Sequence, residues 1–255
     1  MREFNSFRMG LRDGFPICLG YLSVSFAFGI FATGQGLSII EAVFISMFNL
    51  TSAGQLAAVP IIAAGGSFLE LAMSQLVINL RYALMSVSLS QRMGGSVRFI
   101  DRLAVSFANT DEVFAVASSK PASVGRRYLY GLTLTPFFGW TLGTLLGAVA
   151  GEILPGILVS ALGIAIYGMF VAIVVPAARV HRGILLCSLT AAAMSALFYY
   201  TPVLREVNSG FVIIIVAVAA SLIFAVAAPV DDDENGEKLD TPPTKGAQIT
   251  GGAAK

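Results

Sequence analysis

Seven apolar stretches long enough to cross a bilayer recur along the chain, at 14–33, 38–64, 67–90, 128–151, 155–178, 182–201 and 211–229, with a shorter one at 104–118. A crossing takes about 20 predominantly apolar residues as helix, and in hydrocarbon only a helix or a closed barrel satisfies its own backbone. So many such runs within 255 residues leave no stretch for a soluble catalytic domain. The expected fold is therefore an all-α polytopic membrane protein spanning 14–230. Only 12% of the residues are charged, about half the usual share for a soluble domain, and the net charge of +1 points to no nucleic acid partner. The first apolar run follows Arg2, Arg8 and Arg12 as a signal peptide would, but it is too long and lacks a small-x-small cleavage site, so it reads as a retained helix after a short cytoplasmic segment, 1–13. From Asp231 the chain turns acidic and rich in Pro and Gly, a composition unable to bury enough apolar area to order itself. The segment 231–255 reads as a disordered cytoplasmic tail.

Basic residues beside short loops stay on the cytoplasmic side. They cluster at Arg2/Arg8/Arg12, Arg92/Arg98/Arg102, Lys120/Arg126/Arg127 and Arg179/Arg182. For the first two clusters to share a side, an even number of crossings must separate them, yet three apolar runs lie between. One of the three must enter and return. The run 38–64 is the best candidate, because N-L-T-S-A-G-Q interrupts it at 49–55 and its first part, Ser38 to Phe48, rises only about 16 Å as helix. The same parity makes 104–118, about 22 Å as helix, return to its starting side. About six full transmembrane helices plus two broken or re-entrant segments result, with both termini in the cytoplasm.

Backbone that leaves the helix at membrane depth is tolerated only where protein or a water-filled cavity satisfies it. Gly54 is expected to permit the break, and Asn49, Thr51, Ser52 and Gln55 to pair with the freed groups or with a solute. In the third run, Arg81 is the only basic residue in the interior of any span. A charge near a helix centre costs roughly 2.5–3.5 kcal/mol on insertion scales, so Arg81, with Asn79 beside it, is read as functional rather than as snorkelling. Glu70 and Glu41 sit in first turns, where a carboxylate suits the helix dipole, and are read as structural. Asp111 and Glu112, in N-T-D-E, cannot both face lipid cheaply, and acids at membrane depth mark ion or proton pathways. They are the candidates for proton coupling, Asp111 ahead of Glu112 because it stands at a half-helix start, although Asn109-Thr110-Asp111 also serves as an N-cap. The glycines of G-W-T-L-G-T-L-L-G (139–147) read as a packing face. Pro16 with Pro136 and Pro60 with Pro176 make 128–178 a loose echo of 14–64. Cys18, Cys187 and the lone His181 form no metal, disulfide or cofactor signature.

The motifs G-Y-L-S-V-S-F-A-F-G (20–29), S-A-G-Q-L-A-A (52–58), I-N-L-R-Y (78–82) and T-D-E-V-F-A (110–115), in this order, resemble the AzlC-type large subunits of branched-chain amino acid exporters, with a departure at Tyr82, where His commonly follows N-L-R. The resemblance implies an inner-membrane permease that exports hydrophobic amino acids, with a small second membrane subunit of the AzlD type as partner. Its substrate, an amino acid zwitterion, needs an acceptor for its ammonium, donors for its carboxylate and an apolar wall. Asp111 or Glu112, Arg81 or the 49–55 break, and the surrounding Leu, Val and Phe offer these.

Two rival functions share the same polar residues. An intramembrane hydrolase would need H-E-x-x-H, a second Asp in another span to pair with Asp111, or a membrane histidine to activate a serine, and the sequence offers none. It therefore reads as no enzyme. A facilitated-diffusion channel or a non-transporting scaffold would need the cavity without a titrating acid, and the sequence leaves that alternative open.

Overall fold

The computed structural model describes residues 3–159 and 181–227, together with 168, 171, 174–176, 178 and 179. The acidic tail 231–255 lies outside the described residues, and so does most of the run 155–178, which holds the second helix of the later repeat half.

Two long helices form the spine. Helix α1 (Phe7–Gly34) and helix α7 (Arg126–Ile153) lie side by side with their residue numbers climbing together: Cys18 against Gly139, Leu22 against Gly143, Phe26 against Gly147. They are thus parallel, with each of these three pairs 121 residues apart. The approach is backbone to backbone, since a Cβ at Gly10 would overlap the Tyr128 carbonyl and one at Gly147 the Phe26 carbonyl. Without a hydrophobic drive between helices in lipid, such small-residue faces supply association through dispersion. The pairing continues past the helix starts, where Phe4 N–H donates to the Ser123 carbonyl (2.8 Å) and Gly125 N–H to the Phe4 carbonyl (2.9 Å). The first helices of the loose repeat therefore lie side by side. Helix α1 begins at Phe7, ahead of the apolar run that announced it.

The end of the bundle holding the starts of α1 and α7 serves as a reference, the near end. Helix α4 (Phe68–Arg92) runs the other way, finishing where the Arg92 carbonyl accepts from Val124 N–H (2.9 Å). Between α1 and α4, helix α2 (Ile39–Phe48) descends from the far end, opened by a Ser38–Glu41 capping box. It stops at mid-depth, where Ser46 reaches Thr144 of α7. Helix α3 (Ser52–Ala63) climbs back, so that Val59 packs with Leu37, Ala42 and Ala148 at the far end. Helix α5 (Phe99–Phe107) mirrors this from the near end. Its Asp101 accepts from Tyr130 (2.8 Å), its C-terminus arrives at mid-depth, and α6 (Asp111–Ser118) returns to Lys120, whose Nζ lies 2.7 Å from Asp13.

The two broken segments are thus opposed hairpins, each reaching halfway. Both tips pack into one cluster, where Leu50 and Ala108 join Tyr21 and Trp140. One expectation needs adjusting: the shorter run does not start a helix at 104. It belongs to a helix begun at Phe99 and broken at 108–110. Helices α8 (Arg182–Tyr200) and α9 (Ser209–Ala227) complete the described part. Glu70 at the head of α4 accepts from Gly210 N–H (2.9 Å) and from Asn208 (3.2 Å), so α9 starts at the far end. Helices α1, α7, α8 and α9 are long and apolar enough to cross a membrane.

Candidate functional site

Where the hairpin tips meet, they leave a cavity of about 650 Å³. Its polar lining includes Tyr21, Ser52, Arg81, Tyr82, Thr110, Asp111 and Glu112, and its apolar wall includes Ile17, Val24, Leu50, Ile78 and Trp140. Both hairpins supply a helix N-terminus. Helix α3 presents Ser52 and Ala53 to the cavity and α6 presents Asp111 and Glu112. The first N–H groups of a helix have no partner within it, and they favour negative charge.

The local sequence accounts for each break. At the first, Thr51 N–H turns back to the Asn49 carbonyl (2.8 Å), and the Thr51 hydroxyl caps α3 by accepting from Gly54 N–H (3.0 Å). At the second, Thr110 N–H donates to the Ala108 carbonyl (3.1 Å), and Asn109 is fastened to Ser86 of α4 (3.1 Å). The hinge therefore lies at Asn49–Thr51 and not at Gly54, which sits in the first turn of α3. The glycine serves a different need. A Cβ there would crowd the side chains of Thr51, Gln75 and Asn79, and its absence lets Gln75 donate to the Gly54 carbonyl (2.9 Å).

Of the residues singled out from sequence, Ser52, Arg81, Asp111 and Glu112 reach the cavity wall. The others are spent building it. Asn49 and Asn79 both donate to the Gln75 side-chain oxygen (3.0 and 3.1 Å). Gln55 is fully buried, donating to Ser46 (2.8 Å) and accepting from the Trp140 indole (2.8 Å), while Ser46 also bonds Thr144 (2.6 Å). This network ties α2, α3 and α7 together behind the tip. The Asn79 and Asn109 amide oxygens are buried without a partner among the described residues.

Arg81 and Asp111 form an ion pair at 2.8 Å, with 52% and 46% of their side chains exposed, so the pair faces the cavity and is not sealed from a solute. Arg81 also donates to the Tyr82 hydroxyl (3.1 Å). Glu112 turns away from this pair and accepts a hydrogen bond from Tyr21 of α1, whose ring stands edge-on to Trp140. Sequence reasoning did not single out Tyr21, Gln75 or Trp140. Trp140 is the only tryptophan of the chain and lies inside the glycine face read as packing, which is the one signal it offered. Among the described residues no cluster of His, Cys, Asp and Glu suits a metal ion.

Comparison with known proteins places this architecture. The family described as AzlC protein matches residues 16–154, the part that holds α1 from Pro16 onward, α2 to α7 and the whole cavity. The inner membrane protein YgaZ of Escherichia coli K12 is 32% identical over 151 residues, 58% of this chain and 62% of that protein, so the alignment spans less than two thirds of this relative. An uncharacterized membrane protein of Archaeoglobus fulgidus is 34% identical over 172 residues, 67% of this chain and 75% of its own length. The branched-chain amino acid transport protein AzlC of Bacillus subtilis 168 is 23% identical over 150 residues, 58% of either chain. No solved structure matches. With its family match covering more than half of the chain and centred on the two opposed hairpins, the protein is a membrane protein of the AzlC family.

Proposed function

We propose that the chain is a permease of the bacterial cytoplasmic membrane that exports branched-chain or other hydrophobic amino acids, coupled to protons. The observation that carries this reading is the cavity at the hairpin tips, where an anion cradle, a cation partner and an apolar wall converge within about 650 Å³. The substrate carboxylate meets the first N–H groups of α3, the Ser52 hydroxyl and Arg81. Its ammonium meets Asp111 or Glu112, and its aliphatic side chain lies along Ile17, Val24, Ile78 and Trp140. The Arg81–Asp111 pair suits exchange: at such exposure an ion pair is worth only about 0.2–1 kcal/mol, so a zwitterion able to satisfy both partners displaces it at small cost. The name of the Bacillus subtilis relative supports the solute class.

The basic residues Arg92, Arg98, Lys120, Arg126 and Arg127 gather at the near end, which supports placing that end in the cytoplasm. A small AzlD-type membrane subunit belongs to this reading as partner. The test is reconstitution into liposomes, alone and with such a subunit, using labelled leucine, isoleucine and valine. Counterflow of at least one of these is expected. Absence of flux for all of them in both preparations would refute the proposal, and flux driven only down a gradient would make the chain a channel.

A further inference from the structure

We infer that Glu112, and not its neighbour Asp111, is the group that binds and releases the coupling proton, with the Tyr21 hydroxyl as its partner in both states. The inference rests on the transport reading above. It starts from a charge count. Three charged side chains line the cavity, Arg81, Asp111 and Glu112. Arg81 and Asp111 neutralise one another at 2.8 Å, which leaves the Glu112 carboxylate as the net charge of an otherwise balanced site.

A proton on either acid brings the three charged side chains to net neutrality, but the contacts it changes differ. Arg keeps its charge at any physiological pH, so a proton on Asp111 takes away the carboxylate that Arg81 meets at 2.8 Å. A proton on Glu112 leaves that ion pair intact. The chemistry is a plain transfer: a carboxylate oxygen of Glu112 takes a proton from hydronium on one side, one O–H bond breaking as another forms, and returns it on the other to water, which becomes hydronium.

The surroundings fit a group that changes charge. Around Glu112 stand Tyr21 on α1, Arg81 and Tyr82 on α4, and Asp111 on its own helix. Tyr21 donates to the carboxylate. Because a phenol hydroxyl both donates and accepts, the same contact persists with reversed polarity once the carboxyl is protonated. Arg81 could not reverse in this way. The contact also bridges a hairpin to the spine, since Glu112 lies at the tip of α5–α6 and Tyr21 on α1, so the proton state acts on a joint between two elements.

Two measurements on the full-length protein decide this, and the first does not depend on transport. Infrared difference spectra between acidic and alkaline medium should show a carboxylic acid carbonyl band in the wild type that is lost in E112Q, retained in D111N, shifted in Y21F and present in E112D. Loss of that band in D111N with its retention in E112Q would overturn the assignment, as would the absence of any such band in the wild type. In the second, liposomes with a trapped pH indicator and labelled leucine report protons moved per leucine. This ratio should fall to zero in E112Q and stay at the wild-type value in whatever flux D111N retains. An unchanged ratio in E112Q overturns the inference. Should the wild type move no leucine at all, the transport reading fails, while the infrared result still says which acid holds the proton.

Discussion

Gln55 illustrates how a polar residue at membrane depth serves a cavity without touching its contents. Its amide closes a buried chain from Ser46 to Trp140, and leaving such a donor or acceptor unpaired costs about 1–3 kcal/mol. Gln55→Leu should therefore lower thermal stability in detergent by an amount in that range, as should Trp140→Phe, while the double variant should lose less than the sum, because both remove one interaction. Additive losses would show that the two side chains do not share a network. At the cavity itself, Arg81→Lys should bind leucine about tenfold more weakly, or worse, in a reconstituted binding assay. A point charge cannot reproduce the guanidinium's planar fork of donors, which here reaches Asp111 and Tyr82 together. Wild-type affinity in Arg81→Lys would reduce Arg81 to a snorkelling residue. The chemistry of Arg81, Asp111 and Glu112 was legible in the sequence because charge in an apolar run is costly and so announces itself. The division of labour among Asn49, Thr51, Gln55 and Asn79 was not. Partners 26 and 85 residues away, Gln75 and Trp140, decide whether an amide faces the solute or the scaffold.

The hairpins stand one level up, and charge parity alone foresaw that both segments return to their starting side. The observed geometry sharpens this into a labelling experiment. Gln35 and Ala64 are exposed at the far end, Gly95 and Pro121 at the near end. In a background with Cys18 and Cys187 both replaced by alanine, cysteines at Gln35 and Ala64 should react with a membrane-impermeant maleimide from one side, and cysteines at Gly95 and Pro121 from the other. Opposite sidedness of Gln35 and Ala64 would mean that 38–64 crosses fully. The parallel spine was harder to read. Its glycines were visible as a packing face on α7, but the partner face on α1 carries Cys18, Leu22 and Phe26 at the contacts, and nothing in a sequence says which helix a small-residue stripe will meet. Gly143→Val tests it: its side chain would enter the space of Leu22 and Ser25, and overpacking of this kind costs about 1–3 kcal/mol. Gly95→Ala, with open space at its Cβ, should leave the melting temperature unchanged in the same assay.

For the molecule as a whole, the proposed transport has to work around two half-depth hairpins that enter from opposite ends. Both tips pack into the small cluster of Leu50, Ala108, Tyr21 and Trp140. A solute lodged between them leaves toward one end only if one hairpin moves away from the spine. Helices α1 and α7 cannot supply that motion, because their backbones are in contact along most of their length, and packed interfaces of this kind shift between discrete arrangements rather than deform continuously. The tips are the joint to test. Cysteines at Leu50 and Ala108, introduced after both native cysteines have been removed and joined by oxidation or by a short bis-maleimide, should stop labelled leucine flux. Reduction of the oxidised sample should restore it to the level of the same double variant before cross-linking, so the comparison does not depend on how the substitutions alter the unlinked protein. Flux that continues while mass spectrometry shows the link complete would mean the tips stay together throughout the cycle, and the moving part would then have to be sought in α4, α8 or α9.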